Sequence, residues 1–456
     1  MTAGPQQANV HDRRWRRAII TVAALAAAWL LGQLRTPGWS PGFYDPGTLA
    51  LGLAPIISGF VLVELAALAV PAWDALRHAG PAARAKLAVA AHAVAAALAI
   101  VQAYAVARYA TDVGALRDAA APRAAAIATL AVGPFLLAAL ARWVDARGLT
   151  NGFALLVAWT AGAELVGGYS SALSLPGMPF SPASLALPVL VLAATVWLFG
   201  WALRSPARPR GASAPAIPMP ACGITPLSVP AAALLLPATL SGSWPALRPL
   251  AEVLRPGSNA SSAAEAVLAL ALVAVLGVLF NRSGAVARAW NALPAVPAGA
   301  DLVALARAAR RRAIGRSALL VAAVLAVPLV VRVWSVVWVS GQRAVVAAVV
   351  VVAVALDVAR EWRARRAGAF AAVWPLHRAL EAEPVVARLA AAGIPAFVRG
   401  SAFRALYQFF APYAPVVVFV PPERAEDANA ILRRAFASER GGAAAGDQIG
   451  GRARSP

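Results

Sequence analysis

Two stretches decide the fold, Gly52-Leu53-Ala54-Pro55-Ile56-Ile57-Ser58-Gly59 and Gly223-Ile224-Thr225-Pro226-Leu227-Ser228-Val229-Pro230. Both read glycine, aliphatic, any residue, proline, aliphatic. Each opens a long apolar run. Proline removes a backbone donor and breaks the helical ladder upstream of itself. Glycine lowers helix stability at the same place. In lipid, freed backbone is tolerated only where protein or water covers it. A pair of breaks in corresponding positions therefore points to a pathway through a membrane. The plainer alternative is that glycine and proline are common in membrane helices generally.

Working outward, a helix needs about 20 apolar residues to cross the hydrocarbon core. Ten stretches approach or meet that length: Ala18–Leu34, Thr48–Val70, Leu87–Val106, Ala124–Leu140, Phe153–Tyr169, Leu185–Leu203, Cys222–Leu240, Ala263–Phe280, Ala318–Val339 and Ala344–Ala359. The two quoted motifs then open the second span of each five-span half. An odd number of spans per half puts the second half into the membrane upside down relative to the first. The expected fold class is an all-α polytopic membrane protein, ten transmembrane helices in two inverted halves.

Composition agrees. The 456 residues are 61% hydrophobic and 13% charged, against roughly half and a quarter in a soluble domain. That excludes an ordinary soluble enzyme, a disordered chain and a collagen-like one. The net charge is +21, from 41 Lys+Arg against 20 Asp+Glu. Such a balance also fits a nucleic-acid binder, but the cations sort by loop. Arg13, Arg14, Arg16 and Arg17 precede span 1, and Arg77, Arg84 and Lys86 lie between spans 2 and 3. Arg204, Arg208 and Arg210 follow span 6, and Arg307, Arg310, Arg311, Arg312 and Arg316 precede span 9. These and the other cations on their side outnumber those on the opposite side (Arg35, Arg108, Arg117, Arg123, Arg248, Arg255 and Arg343), and the positive-inside rule makes the richer side cytoplasmic, together with both termini. The chain is expected to need no specific nucleic acid.

Chemistry is sparse. One cysteine, Cys222, excludes an internal disulfide framework, and four scattered histidines (His11, His78, His92, His377) form no zinc cage. No nucleophile elbow, zincin or phosphate-loop motif occurs. Neither a catalytic residue nor a metal or cofactor is expected, and the protein is not read as an enzyme. The first apolar stretch lacks a signal-peptide cleavage pattern and is read as a retained span. Glu64, Glu164, His92 and Arg332 lie within spans, where ionisable groups are functional candidates by default. They form no repeating relay, so a proton-coupled secondary transporter is only weakly supported.

The motifs, taken in order, resemble SecY, the channel subunit of the protein translocase. Leu51 to Ser58 is similar to the family's Leu-Gly-Ile-x-Pro-Tyr-Ile-Ser, and Asp145-Ala146-Arg147-Gly148-Leu149-Thr150-Asn151-Gly152 to its Glu-Arg-Gly-Ile-Gly-Asn-Gly. Gly223-Ile224-Thr225-Pro226 through Leu236-Pro237-Ala238-Thr239 resembles the family's span 7, and Phe280-Asn281 and Ala355-Leu356-Asp357 also fit. The resemblance covers roughly Arg13 to Arg366. It implies a lateral gate toward lipid between spans 2 and 7, with helix breaks at Gly52, Pro55, Gly223 and Pro226. It also implies a pore ring of Ile57, Val61, Val157, Ala161 and Ser228. An aliphatic constriction resists wetting while yielding to a chain. Ala161 and Ser228 are smaller or more polar than the family pattern, which argues against a tight seal. The implied partners are lipid, a polypeptide substrate, SecE-like and SecG-like subunits, and a SecA motor or ribosome.

Departures from the pattern bear on those partners. Only Arg35 to Gly47 is available for a plug, and the loop between spans 6 and 7 is reduced to about Arg204–Pro220. The loop before span 9 reads Val296-Pro297-Ala298-Gly299, without the family's arginine. Arg307, Arg310, Arg311 and Arg312 on a following helix form a candidate docking loop or a lipid-headgroup-facing stretch.

After Arg366 the texture changes. Phe370–Pro375, Ile394–Arg399 and Ala414–Pro421 read as strands, and Glu381–Ala392 and Pro422–Phe436 as helices. This small α/β unit resembles a prokaryotic domain of the putative signal-transducing type, over Glu383–Ala396 and Val416–Pro421. The expected organisation is a cytoplasmic N-terminal tail (1–17), a channel domain (18–366, halves about 18–170 and 185–361), a small α/β cytoplasmic domain (370–440) and a disordered tail (441–456). The whole predicts a protein-conducting channel subunit in a bacterial cytoplasmic (inner) membrane. The alternatives are a non-translocating scaffold that recruits a partner through its C-terminal domain, or a secondary transporter.

Overall fold

Alanine- and leucine-rich runs favour helix, and proline fits a helix's first turn because its missing N–H has no intrahelical acceptor there. The computed structural model follows both rules. It describes residues 5–436 other than 42, 44, 46, 79–80, 174–181, 206, 208–216, 242–243, 256–257, 284–285, 288–289, 291–300, 332–340, 377 and 409–413, and for some helical residues the backbone alone. Helices α1 (Pro5–Gly32), α3 (Pro71–His78), α4 (Pro81–Asp112) and α7 (Pro182–Arg204) each begin on a proline. Between and after them run α2 (Ala54–Ala69), α5 (Ala120–Arg147), α6 (Gly152–Leu173), α8 (Thr225–Leu240), α9 (Arg248–Val253), α10 (Asn259–Phe280), α11 (Leu302–Val331) and α12 (Gly341–Ala367).

Among the described residues, four helical stretches are long and apolar enough to cross a membrane: Trp15–Gly32, Ala83–Asp112, Ala120–Arg147 and Asn259–Phe280. Their outward faces are apolar. Val89 is 70% and Val267 67% exposed, a surface that would drive aggregation in water and is ordinary against lipid tails. The core beneath is one cluster that joins Ile56, Phe60 and Phe153 to Phe199, Leu227, Val273 and Val349. Helix α12 packs on α6 and α1 as well as on α7 and α8, so the last span touches elements from both ends of the chain.

Two spans differ from the sequence expectation. Helices α2 and α8 are 16 residues each, about 24 Å at 1.5 Å per residue, short of a full crossing. The expected spans began at Thr48 and Cys222. Their first residues instead form turns, because the glycine ahead of each helix adopts a left-handed conformation that no helix continues. The turn before α2 is covered by protein. A Cβ at Gly133 of α5 would lie 2.3 Å from the Thr48 carbonyl oxygen, so only glycine admits the turn there. The basic stretch at Arg307–Arg316 and the described part of span 9, to Val331, prove to be one continuous helix, α11.

The plug-position connector also has structure. Thr36 N and Gly47 N donate to the Asp45 carboxylate at 3.0 and 2.9 Å, and Ser40 N donates to the Ala115 carbonyl. Trp39 pairs with Leu116 across an isolated bridge. Among its described residues there is no helix.

The C-terminal unit is a three-stranded antiparallel sheet, order β1-β3-β2, of β1 (Ala371–Leu376), β2 (Phe397–Arg399) and β3 (Val416–Val420). Ala371 pairs with Val420 and Leu376 with Val416, with a bulge between Ala372 and Trp374. Phe397 pairs with Phe419 and Arg399 with Val417. Helices α13 (Ala382–Ala391) and α15 (425–436) cover one face, closing a core of Leu376, Val385, Leu389, Val418, Ala428 and Leu432. A further helix, α14 (Ser401–Leu406), was not legible beforehand; six residues carry no periodic signature.

Candidate functional site: the gate helices and the hub beneath them

The starts of α2 and α8 match in backbone detail. Gly52 and Gly223 have φ of +52° and +67°, and each N–H closes a turn onto the carbonyl three residues back, Leu49 at 2.8 Å and Pro220 at 3.1 Å. The next residues, Leu53 and Ile224, have φ, ψ of −93°, 1° and −92°, −7°. Pro55 and Pro226 then occupy the first helical turn, where a missing N–H costs nothing. The motifs expected to open the two spans thus form the turns that begin α2 and α8, and the repeat read from sequence is a repeat of conformation.

The two turns differ in what covers them. A Cβ at Gly52 would meet nothing within 4 Å, whereas one at Gly223 would lie 2.2 Å from the Leu406 carbonyl oxygen. Ile224 N donates to that carbonyl at 2.8 Å. Ala221, just upstream, donates to the buried Ser317 hydroxyl at 2.9 Å, and its carbonyl accepts from Asn281 Nδ2 at 2.8 Å and Gln408 Nε2 at 3.2 Å. The Phe280-Asn281 motif therefore fixes the approach to α8, and the C-terminal unit touches the same turn.

Of the expected pore ring, Ile57 and Val61 lie one turn apart on α2, half-buried against the main cluster. Val157 on α6 belongs to that cluster, and Ala161 follows one turn on, half-buried. Ile57 and Val61 thus pack against the same large cluster that contains Val157. The Ser228 and Glu164 side chains and Arg332 lie outside the described residues. Glu64 is buried; His92 Nδ1 lies 2.6 Å from the Ala88 carbonyl and its ring packs edge-on to Phe60. On α11, Ala306, Ala309, Ala313 and Ser317 make a buried small-residue stripe. Arg307 and Arg311 project to the opposite, exposed side, while Arg310 and Arg312 are half-buried.

Sequence reasoning missed the hub at the end of α12. Glu361 is 1% exposed. Arg399 of β2 meets both its oxygens, through Nε at 2.8 Å and Nη2 at 2.5 Å. Arg365 Nε donates at 2.6 Å and the backbone N–H of Thr150 at 2.8 Å. Burial alone would raise this carboxyl, but the charge and hydrogen bonds of Arg399, then Arg365, outweigh it and hold its pKa below the ordinary value. Arg399 Nη1 also reaches the Asp145 carbonyl at 3.2 Å and lies over the Phe419 ring at 4.6 Å. Asp357, one turn before Glu361, accepts the N–H groups of Ala402 and Phe403, both at 3.0 Å. Arg360 donates to the Ser401 hydroxyl at 3.0 Å. The Asp145–Gly152 motif folds on itself. Asp145 Oδ1 accepts Gly152 N at 2.7 Å, and Asn151 Oδ1 accepts Ala154 N at 2.8 Å, capping α6. The sequence traces of the hub were the Asp145–Gly152 motif, which holds Thr150, then Asp357, and the Glu361–Arg365 spacing of four, which any helix end can carry.

Among the described residues the arrangement offers packed helices, helix termini and ion pairs, and no constellation of nucleophile and base. Among the described residues no group of acidic, histidine or cysteine side chains could hold a metal. It defines a multi-pass helical membrane protein with a repeated glycine-turn-proline helix start and a docked C-terminal sheet. The SecY family model matches residues 48–290, more than half the chain. The chain belongs to the SecY family. Comparison with curated proteins gives no match. Among solved structures, three similar ones each share 14% identity and cover 77% of this chain and 93% of theirs. One is a SecY whose plug domain stabilises the closed channel, at a TM-score of 0.48. The others are a protein-conducting channel and Sec61 from a canine ribosome–channel complex, at 0.47 each. The family assignment rests on the sequence match, not on these superpositions.

Proposed function

We propose that the chain is a SecY-type channel subunit that passes or inserts polypeptides and performs no catalysis of its own. Ten spans in two inverted halves would form it, with both termini cytoplasmic in a bacterial inner membrane. Helices α2 and α8 form the lateral gate, and Ile57, Val61, Val157, Ala161 and Ser228 the constriction. The observation that carries this reading is the matched glycine-turn-proline start of α2 and α8 in a chain of the SecY family. Energy then comes from a partner, with SecE-like and SecG-like subunits alongside. Arg307 and Arg311 on α11 are the exposed cations available for a SecA-like motor or ribosome. The small α/β unit at 370–440 is a cytoplasmic domain of this channel.

Site-specific crosslinking tests the reading. A photoreactive residue at position 57 or 61 is expected to capture a stalled secretory chain. No capture, where the organism's ordinary translocase does capture it, sinks the proposal. The scaffold alternative draws on the short connector at Arg35–Gly47. Under that alternative neither position captures cargo and a cytoplasmic protein co-purifies instead.

A further inference from the structure

The C-terminal unit does not sit on one half of the channel. Toward the first half, Arg399 bonds the Asp145 carbonyl at the end of α5. Glu361, which Arg399 grips, accepts the Thr150 N–H from the α5–α6 loop. Toward the second half, the Leu406 carbonyl takes the Ile224 N–H at the start of α8, and Gln408 bonds the Ala221 carbonyl beside it. Between these contacts α14 is held by Asp357 and Arg360 of α12. Leu380, Ala402, Phe403, Leu406 and Ala414 of the unit belong to the same buried cluster as the membrane helices. The equivalent turn at Gly52, on the opposite membrane face in the inverted reading, carries no such cover at its Cβ position.

From these contacts we infer that the C-terminal unit is a clasp: it ties the α5–α6 loop to the start of the gate helix α8, and the gate opens only when the clasp lets go. The tie itself stands on the contacts; its gating consequence rests on the channel reading above. A chain with a shortened plug-position connector would thus restrain its gate from the cytoplasmic side, with its own tail. Any motor or nascent chain that opens the channel would have to displace α14 from Gly223, and that makes the clasp a point of control.

The test uses full-length protein in proteoliposomes, with two readouts on each variant: amide exchange at Thr150 and Ile224, and iodide leak. Arg399→Ala removes the grip on Glu361 and the bond to Asp145. Arg399→Lys, which keeps the charge without the two-point grip, covers the case in which the alanine variant does not fold. Ile57→Gly with Val61→Gly is the pore control and leaves the clasp intact. The expected result is exchange about tenfold faster or more at both amides in the Arg399 variants, with a parallel rise in leak. Leak that stays at the wild-type level while both amides are released and the pore control leaks overturns the gating role. Release at Thr150 with Ile224 still protected overturns the tie between halves. If the pore control itself stays sealed, the channel reading fails, and the gating role fails with it, whatever the amides show.

Discussion

Glu361 carries more of the tertiary structure than any residue that drew notice in the sequence. A buried carboxylate is tolerable only when its charge and lone pairs are all met, and here Arg399, Arg365 and the Thr150 amide meet them. Removing one partner of such a pair leaves a buried charge uncompensated, at a cost of about 3–5 kcal/mol. Glu361→Ala in the full-length protein, which strands Arg399, should therefore lower the stability of the docked C-terminal unit by that order, read from amide exchange at Ala402 and Phe403. Loss under about 1 kcal/mol would show that water enters and solvates the hub. The same group sets a pH dependence. Its folded pKa lies below the ordinary 4.5, so the unfolded state binds more protons in that range. Its contribution is then fully present above about pH 4.5 and is lost as pH falls through the depressed folded value. Glu361→Gln should flatten that acid limb; an unchanged limb would assign it to another carboxylate. Its pieces were partly legible in sequence but their meeting was not, because the hub joins Thr150, Glu361 and Arg399 across loop, helix end and strand. Periodicity reports which face of one element is buried, not which elements meet.

At the scale of elements, hydropathy placed the helices well and their ends less well. The apolar runs named α4, α5, α6, α7 and α10, each lying inside the observed helix. The five runs that read as strands and helices after Arg366 are likewise found, within a few residues. The starts of α2 and α8 were misplaced because an apolar window cannot distinguish a helix from a tight apolar turn; the left-handed glycines decide it. That pair supports a comparison. An alanine at either glycine incurs the left-handed penalty, about 1–2 kcal/mol. At Gly223 it also collides with the Leu406 carbonyl, while at Gly52 it meets open space. Gly223→Ala should therefore be the more destabilising, and only it should accelerate amide exchange at Ile224. Equal behaviour of the two would mean that α14 does not bear on α8. On α11 the exposed Arg307 and Arg311 lie opposite the buried alanine stripe. Their replacement by alanine should change stability by no more than about 0.5 kcal/mol, so that any loss of partner binding in these variants reports docking and not folding.

Taken as a whole molecule, the charge that first suggested nucleic acid divides into two populations. Most arginines fall in the segments that the proposed orientation would put in the cytoplasm. A few, Arg365 and Arg399 above all, are buried and join parts of the chain together. Ordinarily a sheet domain with its own core, here around Leu389 and Val418, would unfold independently of the helices it follows. Two features argue otherwise. The docking residues Leu380, Phe403 and Leu406 share a buried cluster with the spans, and the sheet's second face, with Phe397 and Phe419, rests on Arg365 of α12. With the interface both apolar and ion-paired, the unit should melt with the span ends it contacts and not before them. Scanning calorimetry of the full-length protein in detergent should then give no separate low-temperature transition for the C-terminal unit. Arg399→Ala should split one off, because the small core alone is marginal at this size. A separate transition already present in the unaltered protein would show that the apolar contact is too weak to couple the two, and that the clasp opens without help from a partner.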